Sequence, residues 1–306
     1  MPTGKHPSQR LPLRVYGFLT LGVLSFTLAP ILVRWAREAP GLAVAVWRTV
    51  IAAGMLLPVL ALRSREELRQ FTGRDIALIL ASGIALGLHF IAWIESLYFT
   101  SVASSSVLVT TSPIFLAAMG YVLLGERLSR ATLLAIGAAV GGAALIGWTD
   151  SGAVVRGGEA AWWGNSLALF AAVLVSVYLL IGRVVRQKVS WLAYVGPLYT
   201  VAALTAVAAA WMQDVPLFGY APRVYALCAG LAIGPQLLGH GSFNYALQRV
   251  PAAIVGMLAL LEPVGASILA YFLFDEVPPL AAVLGMGIVL AAVAVVVWVR
   301  RSAADA

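Results

Sequence analysis

Residues 112–126 read SPIFLAAMGYVLLGE, and residues 262–276 read EPVGASILAYFLFDE. The first stretch opens on Ser112-Pro113 and closes on Leu124-Gly125-Glu126; the second opens on Glu262-Pro263 and closes on Phe274-Asp275-Glu276, at an offset of 150 residues. Many transporters are built from duplicated membrane halves that open a shared site alternately to the two faces. The repeat therefore predicts two related halves, residues 1–150 and 151–306, and favours a carrier.

The composition predicts a protein that lies in lipid. Hydrophobic residues make up 61% of the chain and charged residues 11%, and the mean hydropathy is +0.94. A soluble domain carries about 25% charged residues. We attribute the formal charge of +7 to cytoplasmic loops, because membrane proteins concentrate Lys and Arg there, and we predict no nucleic-acid partner.

Several kinds of chemistry are not supported by the sequence. Cys228 is the only cysteine, so an intramolecular disulfide and a cysteine-based metal cluster are excluded. The three histidines, His6, His89 and His240, are too scattered to predict a metal site. No signature of an ATP-binding loop or of a hydrolase nucleophile occurs. We therefore predict no cofactor, no metal and no enzyme activity.

Charge, proline and glycine divide the chain into ten apolar runs, each close to the ~20 residues that a membrane-spanning helix needs. The prediction is an all-α membrane protein with five transmembrane helices in each half. Because five is an odd number, the second half enters the membrane from the opposite side, and the repeats are inverted. The predicted spans lie near residues 13–34, 41–62, 75–99, 103–124, 131–149, 163–182, 191–212, 223–247, 253–274 and 279–299.

The basic residues predict the orientation. With both termini in the cytoplasm, fifteen of the twenty Lys and Arg residues fall on the inside, and only four fall in outside loops. The positive-inside rule selects this arrangement, in a bacterial inner membrane. The inside set is Lys5, Arg10, Arg14, Arg63, Arg65, Arg69, Arg74, Arg127, Arg130, Arg183, Arg186, Lys188, Arg249, Arg300 and Arg301; the outside set is Arg34, Arg37, Arg156 and Arg223.

Five ionisable residues stand out within predicted spans, where each is a functional candidate because an ionisable group in lipid is costly: Arg48, His89, Glu95, Glu262 and His240. Arg48 and Glu95 lie about 10 Å and about 6 Å below the outer ends of their helices, and we predict that they pair. This pair is either structural or part of transport, and Arg48 alone could also extend to the outer headgroups. Glu262 either binds protons or cationic groups, or accepts hydrogen bonds from neighbouring backbone or hydroxyl groups.

Two helix faces carry polar and aromatic side chains. His89, Trp93 and Ser96 share one face of the third span. His240, Phe243 and Asn244 share one face of the eighth span, which is its repeat counterpart. We interpret both faces as walls of one substrate cavity. The alternative is that these side chains bond to and pack against neighbouring helices.

Prolines and glycines indicate where the helices bend and approach each other. Pro113 and Pro263 occupy matching places in the fourth and ninth spans, and a proline inside a helix bends it by leaving a carbonyl without its donor. Small residues in membrane helices usually permit close packing. This interpretation applies to Gly83 with Gly87, Gly137 with Gly141, and Gly285 with Gly287.

The chain resembles the EamA-type transporters of the drug/metabolite transporter superfamily. The resemblance rests on five segments across both halves, although Asp275 stands where glycine is more usual. The segments are Val46-Trp47-Arg48, Leu97-Tyr98-Phe99-Thr100-Ser101-Val102-Ala103, Leu124-Gly125-Glu126-Arg127-Leu128, Leu261-Glu262-Pro263-Val264 and Phe274-Asp275-Glu276. It implies a ten-helix inverted-repeat carrier whose cavity is lined mainly by helices 1, 3, 4, 6, 8 and 9.

The function that this resemblance implies is secondary transport: export of amino acids or similar small metabolites by alternating access, without ATP. One alternative is an efflux carrier for lipophilic or organic cations, and the other is a non-transporting membrane scaffold. The predicted partners are a small-molecule substrate, membrane lipid and, through Glu262 or Glu95, protons. A monomer is predicted because each chain already contains both halves.

Overall fold

The computed structural model describes residues 12–100, 102–150, 159–274 and 277–305, and these ranges contain helices and no β-strand. Asp275 and Glu276, which close the second repeated stretch, lie outside the described residues. The helices are α1 (Leu13–Thr27), α2 (Ala29–Trp35), α3 (Gly41–Arg63), α4 (Arg65–Arg69), α5 (Gly73–Phe99), α6 (Val102–Val109), α7 (Ser112–Leu124), α8 (Arg130–Asp150), α9 (Glu159–Val185), α10 (Trp191–Met212), α11 (Pro222–Leu231), a π-helical segment (Ala232–His240), α12 (Gly241–Ala246), α13 (Ala252–Ala259), α14 (Leu261–Phe274) and α15 (Leu280–Asp305).

Eight helical stretches among the described residues are long and apolar enough to cross a membrane, by length and composition. They coincide with eight of the ten predicted spans. Three of them consist of two consecutive helices each, so the polypeptide crosses as a broken rather than a continuous helix. The eight are Leu13–Trp35, Gly41–Arg63, Gly73–Phe99, Ser104–Leu124, Glu159–Val185, Trp191–Met212, Ala252–Leu273 and Leu280–Val299.

Two predicted spans are not among the eight. The prediction at 131–149 falls on α8, whose described side chains include the apolar stretch Arg130–Ile146. The prediction at 223–247 falls on α11, the π-helical segment and α12, where polar residues such as Gln236 and His240 interrupt the apolar sequence. Both regions are helical, and the ten-span arrangement itself stays a prediction.

Three predicted spans break close to a proline. Leu28 separates α1 from α2, Thr110 and Thr111 separate α6 from α7, and Leu260 separates α13 from α14. A proline follows each break within three residues. Because proline has no N–H, it cannot bond to the carbonyl four residues earlier, and the helix is interrupted there. The three prolines are Pro30, Pro113 and Pro263.

The principal helix contacts join the first half of the chain to the second. Helix α5 packs on α9, α10 packs on both α3 and α5, and α8 packs on α15. Glu126, which closes the first repeated stretch, also forms an ion pair across the halves, with its Oε1 atom 2.9 Å from Nε of Arg183. The two halves are therefore interleaved rather than placed side by side as independent units.

Glycines permit the closest of these approaches. A Cβ atom added at Gly83 would lie 2.5 Å from Cβ of Val201, and one added at Gly87 would lie 2.8 Å from the carbonyl oxygen of Ala202. The prediction of close packing at Gly83 and Gly87 is confirmed, because no methyl group fits there.

Between α8 and α15, the close contact is made by Gly142 and Gly285. A Cβ atom added at Gly285 would lie 2.6 Å from the Gly142 carbonyl oxygen. Gly137, Gly141 and Gly287 have no atom within 4 Å of an added Cβ. The prediction was therefore right for Gly285 and wrong for the other three, because they lie on helix faces that point away from the contact.

Candidate functional site

A cavity with a volume of about 60 Å³ lies between helices of both halves. The lining comes from the predicted spans 1, 3, 4, 6, 8 and 9, as the resemblance implied, and also from Arg48 of the second span. The lining residues are Phe26, Ala29, Arg48, His89, Phe90, Trp93, Val109, Thr110, Ser112, Val175, Tyr178, Leu179, Pro235, His240, Phe243, Gly256, Ala259 and Glu262.

Four of the six predicted cavity residues line this space: His89, Trp93, His240 and Phe243. Ser96 is fully buried, and its hydroxyl donates to the Trp93 carbonyl oxygen at 2.6 Å and lies 2.6 Å from the Ser105 hydroxyl. It therefore belongs to the contact between α5 and α6 and not to the lining.

Asn244 is the other predicted cavity residue that does not line the space. Its side-chain amide donates to the carbonyl oxygen of His240, one turn earlier, at 2.8 Å. The amide is therefore directed along its own helix, and the residue is fully buried among neighbouring helices.

The predicted ion pair between Arg48 and Glu95 is wrong. The Nε atom of Arg48 donates to Oε1 of Gln236 at 3.2 Å, and its guanidinium carbon lies 4.0 Å from the centre of the Phe90 ring. The carboxylate of Glu95 lies instead beside Gly41, where the absence of a side chain leaves room for it, and does not line the cavity. The depths along the two helices were comparable, but the side chains point to different neighbours.

Glu262 is a buried carboxylate of the cavity. It is 8% exposed, and Oε1 accepts a long hydrogen bond of 3.5 Å from the Ser106 hydroxyl. It follows the break at Leu260 and lies in the first turn of α14, where the backbone N–H groups favour a negative charge. Glu262 forms no ion pair with Arg48, although both line the same cavity.

The two histidines have fixed positions. Nδ1 of His89 lies 2.9 Å from the carbonyl oxygen of Ala171 on α9, and Nδ1 of His240 lies 2.7 Å from the hydroxyl of Tyr178. The His240 ring also contacts the edges or faces of Phe26 and Phe90, with ring centres 4.8 and 5.0 Å apart. The histidines therefore belong to an aromatic wall held together across both halves.

Sequence reasoning missed Tyr178, Phe90, Phe26 and Gln236. It selected only three polar or aromatic side chains on each of two helix faces and considered no others as cavity residues. Tyr178 and Gln236 carry a usable signal, because each is a polar group in the middle of a predicted span and requires a partner there. Phe26 and Phe90 carry none, since phenylalanine is an ordinary residue of any membrane helix.

Two cavity residues carry buried donors with no partner. Among the described residues, four buried side-chain nitrogen or oxygen atoms have no hydrogen bond. Two of these atoms, Nη2 of Arg48 and Nε1 of Trp93, belong to residues that line the cavity. Native proteins leave few such atoms, so each one calls for an explanation.

The helix breaks also expose backbone acceptors at this site. Pro30, Pro113 and Pro263 offer no N–H to the carbonyl groups of Phe26, Val109 and Ala259, four residues before each of them. These three residues all line the cavity. Among the described residues, the lining thus combines a cationic side chain, a carboxylate, aromatic rings and residues at the helix breaks. No group of three or more metal-ligating side chains occurs among the residues that the structure describes.

Comparison with known proteins gives three findings. The sequence model of the EamA-like transporter family matches the chain twice, at residues 13–148 and 162–298. A probable terminal-alkyne amino-acid exporter of Streptantibioticus cattleyicolor is 28% identical over 225 residues, which are 71% of this chain and 71% of that protein. A solved crystal structure superposes with a TM-score of 0.76, covering 95% of this chain and 99% of the other at 18% identity, which shows a shared fold.

Proposed function

Because this chain belongs to the EamA-like transporter family of multi-pass membrane proteins, we propose that it is a secondary transporter that exports amino acids or similar small metabolites without ATP. The relative from Streptantibioticus cattleyicolor, described as a probable exporter of terminal-alkyne amino acids, supports this substrate class. We further propose that the chain acts in a bacterial inner membrane with both termini in the cytoplasm, as the distribution of Lys and Arg predicts. Such a protein has no enzyme activity and requires no cofactor.

The proposed architecture is ten membrane helices in two inverted five-helix halves, 1–150 and 151–306. Two observations support it: the family model matches each half once, and the two predicted spans that are not among the eight apolar stretches are nevertheless helical. The break and proline in the fourth span recur in the ninth. An inverted repeat allows one half to adopt the conformation that the other half leaves, which is the basis of alternating access.

The observation that carries the proposal is the composition of the cavity. Arg48 and Glu262 line the same space without pairing, so the cavity offers one positive and one negative group to a ligand. An amino acid carries both complementary charges. The aromatic wall, with Trp93 and Phe243 among its members, provides a surface for an apolar side chain.

We also propose roles for the carboxylates, for the buried polar residues behind the cavity and for the prolines at the helix breaks. Glu262 is the candidate for proton coupling, and Glu95 is a structural charge beside Gly41. Ser96 and Asn244 support the cavity walls from behind. Pro113 and Pro263 provide the flexible points at which the half-helices move. Protons, lipid and the small-molecule substrate are the partners, and we propose a monomer because both halves occur in one chain.

Replacing Glu262 with glutamine is expected to abolish the part of transport that is driven by a pH gradient, because the amide cannot carry a proton. The measurement is uptake of each of twenty labelled amino acids into liposomes containing the purified protein, with and without a pH gradient. Glu95→Gln is the matched control: the same change in a carboxylate outside the cavity, expected to retain gradient-driven uptake.

Two outcomes would contradict the proposal in different ways. Gradient-driven uptake by Glu262→Gln equal to that of the wild type would remove the coupling role. Absence of saturable uptake of any of the twenty amino acids by the wild-type protein would contradict amino-acid transport itself. An elution profile like that of the wild type confirms that each variant is folded.

The second candidate function is efflux of lipophilic cations. It is favoured by Glu262 and by the rings of Phe26, Phe90 and Phe243, which could stabilise a cation. Against it stands Arg48, whose positive charge lies in the same cavity and repels such a ligand.

Tetraphenylphosphonium is therefore expected to compete weakly or not at all with a transported amino acid. The measurement is inhibition of labelled amino-acid uptake by increasing tetraphenylphosphonium, with the same unlabelled amino acid as the positive control. Stronger inhibition by the cation than by the amino acid would favour the efflux function over the exporter.

A further inference from the structure

Arg48 is a buried charge without a counter-ion. The residue is 1% exposed, and no carboxylate of the described residues lies within 4.0 Å of it. Leaving a guanidinium in this position costs free energy, because a charge in a low-dielectric interior is stable only when it is paired and hydrogen-bonded. The missing partner is an anion that the protein itself does not provide.

The guanidinium is nevertheless held in one orientation. Gln236 accepts a hydrogen bond from Nε on one side, and the ring of Phe90 supports the guanidinium plane at 4.0 Å. These two contacts leave Nη2 without a partner. An unpartnered N–H of a guanidinium is suited to a carboxylate, because a hydrogen bond between two charged groups is stronger than one between neutral groups.

Trp93 provides a second buried donor among the lining residues. The residue is 5% exposed, and Nε1 has no hydrogen-bond partner. Trp93 follows Phe90 by three residues on α5, so the two side chains are neighbours on one helix face. The guanidinium of Arg48 lies over the ring of Phe90, and Arg48 and Trp93 thus share a neighbour.

Two other tryptophans use this donor. Nε1 of Trp47 donates to the carbonyl oxygen of Leu217 at 2.7 Å, and Nε1 of Trp191 donates to that of Gly241 at 2.8 Å. A buried indole N–H usually finds a protein partner. Among the residues that the structure describes, Trp93 is the tryptophan whose buried Nε1 has none.

We propose that Nη2 of Arg48 and Nε1 of Trp93 form a carboxylate subsite of the cavity, and that the substrate is a molecule with a free carboxylate and a protonated amine. The inference rests on the proposed function and specifies which part of an amino acid each wall binds. Arg48 and Trp93 take the carboxylate, while Glu262, the one carboxylate among the described lining residues, takes the amine.

Charge balance favours zwitterions over simple amines and simple carboxylic acids as substrates. A zwitterion compensates both Arg48 and Glu262. A simple amine leaves the guanidinium uncompensated, and a simple carboxylic acid leaves Glu262 uncompensated. Loss of a hydrogen bond to a charged group costs ~1.5–3 kcal/mol, which corresponds to about a tenfold to hundredfold loss of affinity.

The test compares three competitors of one amino acid, the one transported best in the liposome panel. For leucine these are leucine itself, 3-methylbutylamine, which lacks the carboxylate, and 4-methylpentanoate, which lacks the amine. In the wild-type protein we expect leucine to compete at least about tenfold better than either analogue.

Trp93→Phe removes the donor and keeps an aromatic ring. We expect it to weaken competition by leucine about tenfold and to leave competition by 3-methylbutylamine unchanged. Trp47→Phe is the matched control: it removes the same donor outside the cavity and should change neither. As a second variant, Arg48→Lys keeps the charge but loses the planar guanidinium. It should likewise weaken competition by leucine more than competition by 3-methylbutylamine.

The outcomes distinguish a failure of the carboxylate subsite from a failure of the proposed function. If Trp93→Phe weakens competition by leucine and by 3-methylbutylamine equally, or weakens neither, the carboxylate subsite is wrong, while the proposed amino-acid transport is unaffected. A wild-type protein that transports no amino acid contradicts the proposed function and, with it, the subsite that rests on it. Thermal stability like that of the wild type shows that each variant is folded.

Discussion

Arg48→Met is expected to abolish amino-acid export while thermal stability stays the same or increases. Methionine fills a similar length without charge, and replacing buried charges with apolar side chains is often neutral or stabilising. The hydrogen bond to Gln236 is lost, a cost of about 1 kcal/mol that removal of the unpaired charge offsets. Losing one partner of a buried charge pair costs ~3–5 kcal/mol, which corresponds to about a hundredfold or greater loss of transport.

The combination of the two measurements distinguishes a binding role from a structural one. Transport is measured as liposome uptake, and stability as the midpoint of thermal unfolding in detergent. If Arg48 instead holds α3 to the π-helical segment, Arg48→Met will lower the unfolding midpoint, and the loss of transport will follow from misfolding. Arg48→Lys serves as the control that retains the charge and is expected to keep part of the transport.

The second large effect is expected at the contact between α8 and α15. Gly285→Ala adds a methyl group whose carbon would lie 2.6 Å from the Gly142 carbonyl oxygen. Backbone atoms cannot move aside as a flexible side chain can, so the two helices must separate. Overpacking of this kind typically costs ~1–3 kcal/mol, and we expect a lower free energy of unfolding when the protein is titrated from mild into denaturing detergent.

Gly287→Ala is the matched control for this prediction. The substitution is chemically identical and lies two residues away on the same helix, where an added Cβ has no atom within 4 Å. It is expected to be neutral or slightly stabilising, because alanine favours a helix over glycine by ~1 kcal/mol. Equal effects of the two substitutions would show that α8 and α15 do not meet at Gly142 and Gly285.

The lengths of the apolar runs, and the charged residues, prolines and glycines between them, were sufficient to predict most of the fold. The eight apolar stretches follow from runs of about 20 hydrophobic residues, a signal that the bilayer imposes directly. For the stretch 223–247 the sequence predicted the bounds within one residue but not the internal structure. The stretch is a helix composed of three segments, and no simple periodicity predicts the π-helical part around Pro235 and Gln236.

For the candidate site, the sequence could predict only which side chains share a helix face. The structure places His89 and Trp93, and likewise His240 and Phe243, at one cavity, and their shared helix faces followed from their spacing along the helix. The prediction that Arg48 pairs with Glu95 failed because it used only the depth of the two residues in the membrane. The rotation of each helix about its axis also decides which side chains meet. The partnership of Arg48 with Gln236 joins residues that are 188 positions apart in sequence, and no local rule relates them.

The interruptions at Leu28, Thr110 and Leu260 bear on how fast such a molecule can cycle. A continuous helix must break backbone hydrogen bonds in order to bend within lipid, where no water replaces them. In this chain each proline has already removed one of those bonds, so tilting at an interruption breaks fewer backbone bonds than bending a continuous helix does. For the proposed transport cycle we therefore expect turnover to depend only modestly on temperature.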